Sequence, residues 1–309
     1  MSIQTRLADP LFSSLPRAER PAYATGMLLD AQDFGDEQTY HRGRLARALA
    51  FLAGGGTLAG LPVSHAAAVT PQPEEIRVAG GLAVDRLGRL IELPRPACVR
   101  LVRWYEATRA ADDGATLRRA TYDDLARFVS PRLAASGATL PARAVVADVF
   151  IRFAACEVGL TPSFAAGPFD ALNAVSTSRL RDAWELQLIA REGLDDSYSG
   201  LPLPPGGAAI PPLETDTAAS LAARRDALQD AVLGAYAALA RRSDGTEGLA
   251  PAPEHPPTLL DTSAIFLARV LIPVDAADPP QRTADAPLVD NGARRFLPAL
   301  ALLAQAGGL

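Results

Sequence analysis

The sequence predicts an α+β fold: β-rich hairpins and sheet strands, an amphipathic helix near the N-terminus and a long helix in the C-terminal half. Strand-like and helix-like stretches occur in blocks, not in the steady alternation that is typical of a doubly wound sheet. Apolar–polar alternations between residues 76 and 102 are broken by the turn signals AGG and RLGR. With 309 residues, 49% of them hydrophobic, the chain can bury a sizeable core.

The first predicted helix runs from about Asp30 to Ala53, after an extended arm over residues 1–25 that contains three prolines. Asp30 is suited to cap the helix, and Asp33 can return a hydrogen bond to it. Acidic residues in the first turns and arginines later follow the order that the helix dipole favours. The glycine run at 54–56 ends the helix. Its spacing matches neither the dinucleotide-binding motif nor the P-loop, and it follows a helix instead of a strand.

Several strands are predicted after this helix. IRVAGGLAVD and RLIELP predict a hairpin across Arg86 to Arg89, and CVRLVRWY predicts the next strand. RAVVADVFIRFAACEV and STSRLRDAWELQLIARE predict two more strands, joined by a loop, and SAIFLARVLIPV predicts another. We expect the core around residues 76–102 and 145–189.

Helices are predicted on both sides of these later strands. Residues 106–143 read as helical, with Thr121 as the N-cap of TYDDLARFVSPRL and Asp124 completing a variant capping box. DTAASLAARRDALQDAVLGAYAALARR predicts a long amphipathic helix. Its apolar stripe would contain Leu221, Leu228, Val232 and Tyr236. The chain is predicted to end in a turn and a short apolar helix.

The predicted organisation has five parts. They are an extended N-terminal arm (1–25), a helix plus β-hairpin module (26–110), a helical insert with β-strands (111–199), a Pro/Gly linker (200–216) and a last part with the long helix, a strand and the C-terminal helix (217–309).

Composition excludes several classes of function. The net charge of −5 argues against a nucleic-acid partner, and the absence of lysine excludes Schiff-base and Walker A lysines. The N-terminus lacks a signal-peptide core and no stretch is long enough to span a bilayer, so we expect a cytoplasmic chain without membrane insertion. Cys98 and Cys156 lie in apolar runs without metal-ligand spacing, and we expect buried thiols.

The stretch DFGDEQTYHRGR contains the strongest candidate for chemistry. Glu37 and His41 are four residues apart and can pair, and Arg44 continues the same line. The spacing lacks the Glu-x-x-His of di-iron bundles and the paired histidines of zincins. A capped helix is therefore the preferred interpretation. Its packed stripe would contain Phe34, His41, Leu45, Leu49 and Leu52, with the histidine at its edge.

Other candidates for catalysis or binding are weaker. His65 lies at a strand edge beside Ser64, and His255 lies in a proline-rich loop predicted to be mobile, so neither has an evident orienting group. Acidic pairs such as Asp112/Asp113 fit caps or turns better than acid–base couples. Trp104 and Trp184 fit core or interface positions. We therefore predict no catalytic residues, no bound metal and no cofactor.

The order of several segments resembles a recurrent family of structural proteins from phage-tail-like contractile injection systems. The resemblance rests on YATGMLLDAQDFGDEQTYHRGRL, GTLAGLPV and IRVAGGLAVDRLGRLIELP, then on VFIRFAACEV, SRLRDAWELQL and IFLARVLI…LVDNGARRF. It covers roughly residues 20–110, 145–190 and 260–297. Thr57 departs from the family pattern, and the loop over 156–174 lacks the extra cysteines of some members, which argues against a metal there.

The resemblance implies a bacterial structural subunit that acts by protein–protein contacts in a baseplate or tail. It implies several copies per particle, other subunits (baseplate, tube, sheath or spike) as partners, and an assembled particle that is either released or attached to a membrane. The predicted subunit contacts are Asp33, Glu37, His41, Arg44, Arg294 and Arg295. The last two would be presented by the DNGARRF turn, either solvated or as a fork for a neighbour's carboxylates.

Two alternative functions stay open from sequence. The first is a receptor- or carbohydrate-binding module of the tail-fibre type, which an open groove lined by Trp104, Tyr105 and Trp184 would favour. The second is a hydrolase that uses His41 with Glu37, which a pocket joining those two side chains to a serine or a metal would favour.

Overall fold

The computed structural model describes residues 19–162, 175–193, 218–240, 252, 254–256 and 261–306. Within these residues the fold is α+β, as predicted, with antiparallel sheets, a helix near the N-terminus and a long helix in the C-terminal half. Most of the predicted arm, the loop around 163–174 and the linker over 200–216 lie outside the described residues. The division into five parts stays a prediction.

The helices follow the predicted order at both ends of the chain. Their bounds are α1 (Ala31–Leu52), α2 (Leu101–Ala111), α3 (Ala115–Arg119), α4 (Pro131–Ala135), α5 (Ala218–Ala240) and α6 (Leu300–Ala306), with a short 3₁₀ helix at Ala126–Phe128.

The strands of the described residues form three sheets, and each of their strand pairings is antiparallel. Their bounds are β1 (Gly56–Gly60), β2 (Val63–Ala66), β3 (Glu75–Val78), β4 (Gly81–Val84), β5 (Leu90–Leu93), β6 (Ala97–Arg100), β7 (Thr121–Tyr122), β8 (Ala144–Pro162), β9 (Val175–Ala190), β10 (Ile265–Pro273) and β11 (Leu288–Asp290). The sheet orders are β1-β4-β5, β2-β3-β6 and β11-β10-β8-β7, with β9 also paired to β8.

β8 and β9 form the longest pairing in the described chain. β10 accompanies β8 only from Ala144 to Ile151. Beyond that point β8 pairs with β9 alone, up to the pair of Pro162 and Val175. The two strands therefore continue past the sheet as a two-stranded ribbon, and burial along β8 falls from complete at its start to exposed at its last residues.

Two sequence predictions are wrong in the middle of the chain. The predicted strand CVRLVRWY ends at Arg100, and α2 begins at Leu101. Leu101, Trp104 and Tyr105 follow a helical spacing that turns Leu101 and Tyr105 into the core, and this outweighs the weak alternation of the run.

The predicted N-cap at Thr121 is also wrong. Thr121 lies in β7 and pairs with Val145, while its hydroxyl donates to the Leu117 carbonyl at 2.6 Å. The cap of this region is Ser130, whose Oγ accepts from the Leu133 amide at 3.2 Å at the start of α4. Proline at the first position of α4 suits that start. Much of residues 106–143 is therefore not helical.

The largest core cluster draws on both predicted core segments and adds β10. It includes Ile76, Ile91, Leu101, Val149 and Leu267, each at most 1% exposed. The predicted stripe of α5 does not join such a core, because Leu221, Leu228 and Val232 are all at least 51% exposed. The side chain of Tyr236 lies outside the described residues. Among the described helices, none combines the length and apolar character needed to cross a bilayer.

Candidate interaction surface

Helix α1 begins with the capping box that the sequence predicts. Oδ1 of Asp30 accepts from the amides of Gln32 at 2.8 Å and Asp33 at 3.1 Å. In return, Oδ2 of Asp33 accepts from the Asp30 amide at 3.0 Å. At the other end, Gly54 follows the helix with φ +75° and donates to the Ala50 carbonyl at 3.2 Å. Both ends of the helix are therefore fixed by local hydrogen bonds.

The inner face of α1 is made of small residues. Ala46 and Ala50 are buried against the turn between β4 and β5, where Gly88 has φ +84°. A Cβ atom on Gly88 would lie 1.7 Å from the Ala46 carbonyl oxygen. The backbone of the turn is thus in direct contact with the backbone of the helix, which leaves no room for large side chains between them.

The large apolar residues of α1 consequently lie on its outer face. Phe34, Leu45 and Leu52 are 49%, 62% and 87% exposed, and the His41 side chain is 63% exposed. The prediction of a packed stripe is wrong for these four residues, whereas its fifth member, Leu49, is half-buried. The face of α1 that becomes buried is the one whose small residues let the helix backbone approach Gly88. This contact cannot be predicted from the size of the residues in α1 alone.

The charged candidates of α1 have local partners. The Tyr23 hydroxyl donates to Oε2 of Glu37, and this hydrogen bond raises the pKa of Tyr23. Nε2 of His41 lies 3.9 Å from Oε1 of Glu37, and the Arg44 guanidinium carbon lies 5.2 Å from the centroid of the Tyr40 ring. These contacts resemble those of a solvated helix face, and a role of Asp33, Glu37, His41 or Arg44 in subunit contacts stays a prediction.

The prediction that Arg294 and Arg295 are presented at the surface is wrong. They are 2% and 7% exposed. Arg295 makes a two-point ion pair with Glu254, at 2.7 Å and 2.9 Å. Arg294 donates to the Leu61 carbonyl at 2.7 Å and to the side chain of Asn291, and burial lowers its pKa to about 10. The turn directs both guanidinium groups inward. There they form hydrogen bonds to segments that are distant in the sequence.

A shallow groove of about 430 Å³ opens beside this turn. Its lining includes Arg132, Leu133, Asp290, Asn291 and Phe296. The polar groups are largely engaged in the fold: the Asp290 carboxylate accepts from the amide and hydroxyl of Ser130, and Asn291 exchanges two hydrogen bonds with the backbone of Val63. The groove therefore presents an exposed Phe296 ring, while Asp290 and Asn291 are already hydrogen-bonded within the fold.

The most strongly buried charges are structural and were missed from sequence. Asp148 in β8 accepts from Nε of Arg269 in β10 at 2.8 Å and from Nη1 of Arg191 at 2.9 Å, and all three residues are at most 3% exposed. Arg269 also donates to the Phe128 carbonyl at 3.0 Å. A usable signal existed, because AVVADVFI and IFLARVLIP are two apolar runs that each contain a single charge, of opposite sign.

His255 is buried and oriented, contrary to the prediction of a mobile loop. Its Nδ1 accepts from the Ala252 amide at 3.2 Å and its Nε2 donates to the Ala264 carbonyl at 3.0 Å. Burial, assisted by the nearby Arg86 guanidinium, lowers the pKa of His255 to about 4. Both ring nitrogens are therefore used in holding the chain together.

His65 is also oriented, although no orienting group was predicted for it. Its Nε2 lies 2.8 Å from Oε1 of Glu74, and Arg282 donates twice to the same carboxylate, at 2.7 Å and 2.8 Å. The Arg282 hydrogen bonds, followed by that of His65, hold the pKa of Glu74 below its ordinary value. Ser64 precedes His65 in β2, and adjacent strand residues point to opposite faces, so the two do not form a nucleophile–base pair.

The prediction of two buried thiols is wrong. Cys98 is exposed and Cys156 is half-buried. Cys98 lies on the outward side of β6, where partial burial and a hydrogen bond to Glu75 raise the pKa of its thiol. The apolar residues around each cysteine correctly predicted a strand. Successive side chains of a strand point to opposite faces, however, and the sequence did not show which face is buried.

The aromatic residues that would favour a carbohydrate platform are occupied in packing. The Trp104 indole donates to the Leu188 carbonyl at 2.6 Å, and the Tyr105 hydroxyl donates to the Pro280 carbonyl at 2.9 Å. Tyr105 is only 6% exposed, and Trp104 and Trp184 pack against the main core cluster. These three residues do not line an open groove.

The described residues contain no cluster of three or more His, Cys, Asp or Glu side chains arranged to hold a metal ion. Asp112 fits its predicted role at a turn, since its carboxylate accepts from the amide and hydroxyl of Thr116 at 2.9 Å and 2.8 Å. No protein-family model matches the chain, and no curated protein matches it. Among the described residues, large exposed apolar side chains are found on the helices α1, α5 and α6.

Proposed function

We propose that the chain is a structural subunit of a contractile injection system or a related phage-tail-like particle, and that it acts through protein–protein contacts in the baseplate or tail. The observation that carries the proposal is the concentration of large exposed apolar side chains on three helices. They are Phe34, Leu45 and Leu52 on α1, Leu221, Leu228, Val232 and Leu233 on α5, and Leu300, Leu302 and Leu303 on α6.

Exposed apolar surface of this kind is typical of a protein that packs against other subunits in a larger assembly. On α5, Val232 and Leu233 are 68% and 79% exposed, and on α6 Leu300 is 84% exposed. A chain that worked alone would leave this surface in water. The order of sequence segments described above supports a tail-like particle as the assembly, with baseplate, tube, sheath or spike subunits as the partners.

The internal use of charge also supports a mechanical role. The buried ion pairs of Asp148 with Arg269 and of Glu254 with Arg295 connect segments that are far apart in sequence. Such pairs fix the relative positions of strands and loops. A subunit that transmits force needs this kind of fixed framework more than it needs a reactive group.

Cosedimentation tests the proposal in the organism that encodes the chain. We expect an epitope-tagged chain to sediment with particles that contain sheath and tube proteins. A variant with Leu228→Glu, Val232→Glu and Leu233→Glu should stay in the supernatant, because charges on the apolar face of α5 oppose its burial. Gln229→Glu, which adds a charge at an exposed position of the same helix, is the matched control and should sediment normally.

The circular dichroism spectrum of the triple variant should equal that of the unmodified chain, which separates lost binding from lost folding. A tagged chain that remains in the supernatant in cells that produce intact particles contradicts the proposal.

A further inference from the structure

The outer face of α1 has the periodicity of a coiled-coil seam. Six exposed residues follow one another at spacings of four, three, four, three and four: Phe34, Gln38, His41, Leu45, Ala48 and Leu52. This is the a/d pattern of a heptad repeat, in which each position faces a second helix. We call these six residues the outer seam. The small residues Ala46 and Ala50 occupy the opposite, buried face.

The charges beside the outer seam are arranged in two blocks. Asp33, Asp36 and Glu37 precede the middle of the helix, and Arg42, Arg44 and Arg47 follow it. Two copies placed side by side in parallel would put like blocks at the same level, with Glu37–Arg42 as the one pair of opposite charge across the seam. Two antiparallel copies would put the acidic block of each against the basic block of the other, and would also oppose the helix dipoles.

We infer that α1 is a self-association surface, on which a second copy of this chain docks its own α1 in antiparallel orientation. In the register that pairs the charges best, Phe34 packs against Leu45 of the second copy, and Leu45 against its Phe34. Gln38 and His41 then form the central polar layers. Polar residues at such positions specify register and orientation at some cost in affinity.

The flanking position on one side of the outer seam is occupied by Glu37 and then by Arg44. In an antiparallel pair these flanking positions face each other, so Glu37 of each copy meets Arg44 of the other. The Glu37 side chain is 38% exposed beside its contact with Tyr23, and Arg44 is exposed. Two symmetric ion pairs therefore close the interface.

The ends of the seam are also apolar. In the same register Leu52 reaches the segment before α1 in the second copy, where Met27 and Leu28 are 43% and 94% exposed. This contact would cover Leu28, which is the most exposed large apolar residue in the described part of the N-terminal region. The inference does not rest on the proposed function, because it concerns the purified chain alone.

Sedimentation velocity of the purified full chain tests the inference. Between about 1 and 100 µM we expect a concentration-dependent species of twice the 32.4 kDa monomer mass, because the seam is short and the affinity modest. Glu37→Arg and Arg44→Glu should each weaken the dimer about tenfold, since each replaces two attractive pairs by two repulsive ones.

Mixing the two single variants gives the decisive result. A mixture of Glu37→Arg with Arg44→Glu restores opposite charges at both contacts, so the heterodimer should form about tenfold more tightly than the homodimer of either variant. The double variant should also recover. Glu106→Arg and Arg103→Glu make the same charge changes at exposed positions of α2 and should leave the dimer unchanged.

Two outcomes overturn the inference. One is a chain that is monomeric at 100 µM; the other is a dimer that is indifferent to the changes at 37 and 44 or is not rescued by mixing. A parallel pair belongs to the second outcome, because it would set Glu37 against Arg42 and not against Arg44. A monomer that still sediments with particles would overturn this inference and leave the proposed function standing.

Discussion

Three separate parts of the chain meet at the Asp148 carboxylate. The residue lies in β8, and its two arginine partners come from β10 and from the segment after β9. Arg269 sits opposite Asp148 in the strand register and is completely buried. A buried ion pair of this kind adds little net stability over an apolar pair, but removal of one partner leaves uncompensated charge in the interior.

Asp148→Asn should therefore lower the free energy of unfolding by about 3–5 kcal/mol, because two buried guanidinium groups lose their counter-charge. Urea denaturation followed by circular dichroism measures the change. The matched control is Asp182→Asn, also in the β8–β9 region, whose 67% exposed side chain lies 3.9 Å from Arg42. A surface pair of that kind is worth about 0.5 kcal/mol or less. Equal losses in the two variants would contradict a structural role for Asp148.

His255 should make the stability of the protein depend on pH. The unfolded chain takes up a proton on this ring near pH 6.5, whereas burial lowers the pKa in the folded chain to about 4. Because the unfolded state then binds more protons, stability falls as the pH is lowered through this window. We expect a loss of about 2 kcal/mol between pH 7 and pH 5 from this group.

Unfolding at pH 7 and pH 5 of the unmodified chain and of His255→Asn measures this effect. The variant should be less stable at pH 7, since Ala252 and Ala264 lose a hydrogen-bonding partner. Its stability should also fall less between the two pH values. The comparison separates His255 from Glu254 and other carboxylates, which titrate in both proteins. An identical pH dependence of the two proteins is the result that this prediction does not allow.

At the scale of elements, α1 packs closely against the turn between β4 and β5. The turn is fixed from within, since Oδ1 of Asp85 accepts from the amides of Leu87 and Arg89 at 2.9 Å and 2.8 Å. The face of α1 that contains Ala46 and Ala50 packs directly against Gly88. Because the turn is fixed and the helix face is flat, a side chain cannot be inserted between them without moving one of the two.

Gly88→Ala should destabilise the protein by about 2–4 kcal/mol, since it combines a left-handed backbone angle with a steric overlap. Gly137→Ala is the matched control: its φ is +73°, close to the +84° of Gly88, but a Cβ atom there meets nothing within 4 Å. It should cost about 1–2 kcal/mol, the backbone strain alone. Thermal unfolding of both variants gives the comparison, and equal shifts would show that the contact with α1 carries no energy.

At the scale of the whole molecule, stability should be graded along β8. Its first half is completely buried between β10 and β9, whereas its last residues belong to a two-stranded ribbon that is exposed at its end. Two-stranded ribbons are marginally stable in water. The protein therefore combines a buried centre with a more exposed two-stranded segment.

Hydrogen exchange measured by mass spectrometry should report this gradient. Amides at 145–151 and 267–272 should exchange only through global unfolding, while amides at 158–162 and 175–180 should exchange through local opening, at least about 100-fold faster. Assembly into a particle that grips the ribbon should slow the second group selectively. Uniform protection along β8 in the isolated chain would argue against a separate ribbon.

The sequence alone determined those features whose physical cause is local. The capping box at Asp30, the glycine end of α1, the turn between β4 and β5 and the apolar runs of β8 and β10 each depend on residues close together in the chain. Backbone hydrogen bonding and side-chain alternation act over a few residues, so a single sequence contains enough information to predict them.

Tertiary structure decided which surfaces are buried. Phe34 and Leu45 face solvent because Gly88 lets the alanine face of α1 approach the turn more closely. Arg294 and Arg295 point inward because they form hydrogen bonds there to Leu61 and Glu254, respectively. Thr121 pairs with β8 although its neighbours suggest a helix start. In each case the contact that determines burial joins residues that are distant in sequence. The energy of such a contact depends on both residues and on their packing, so neither residue alone predicts it.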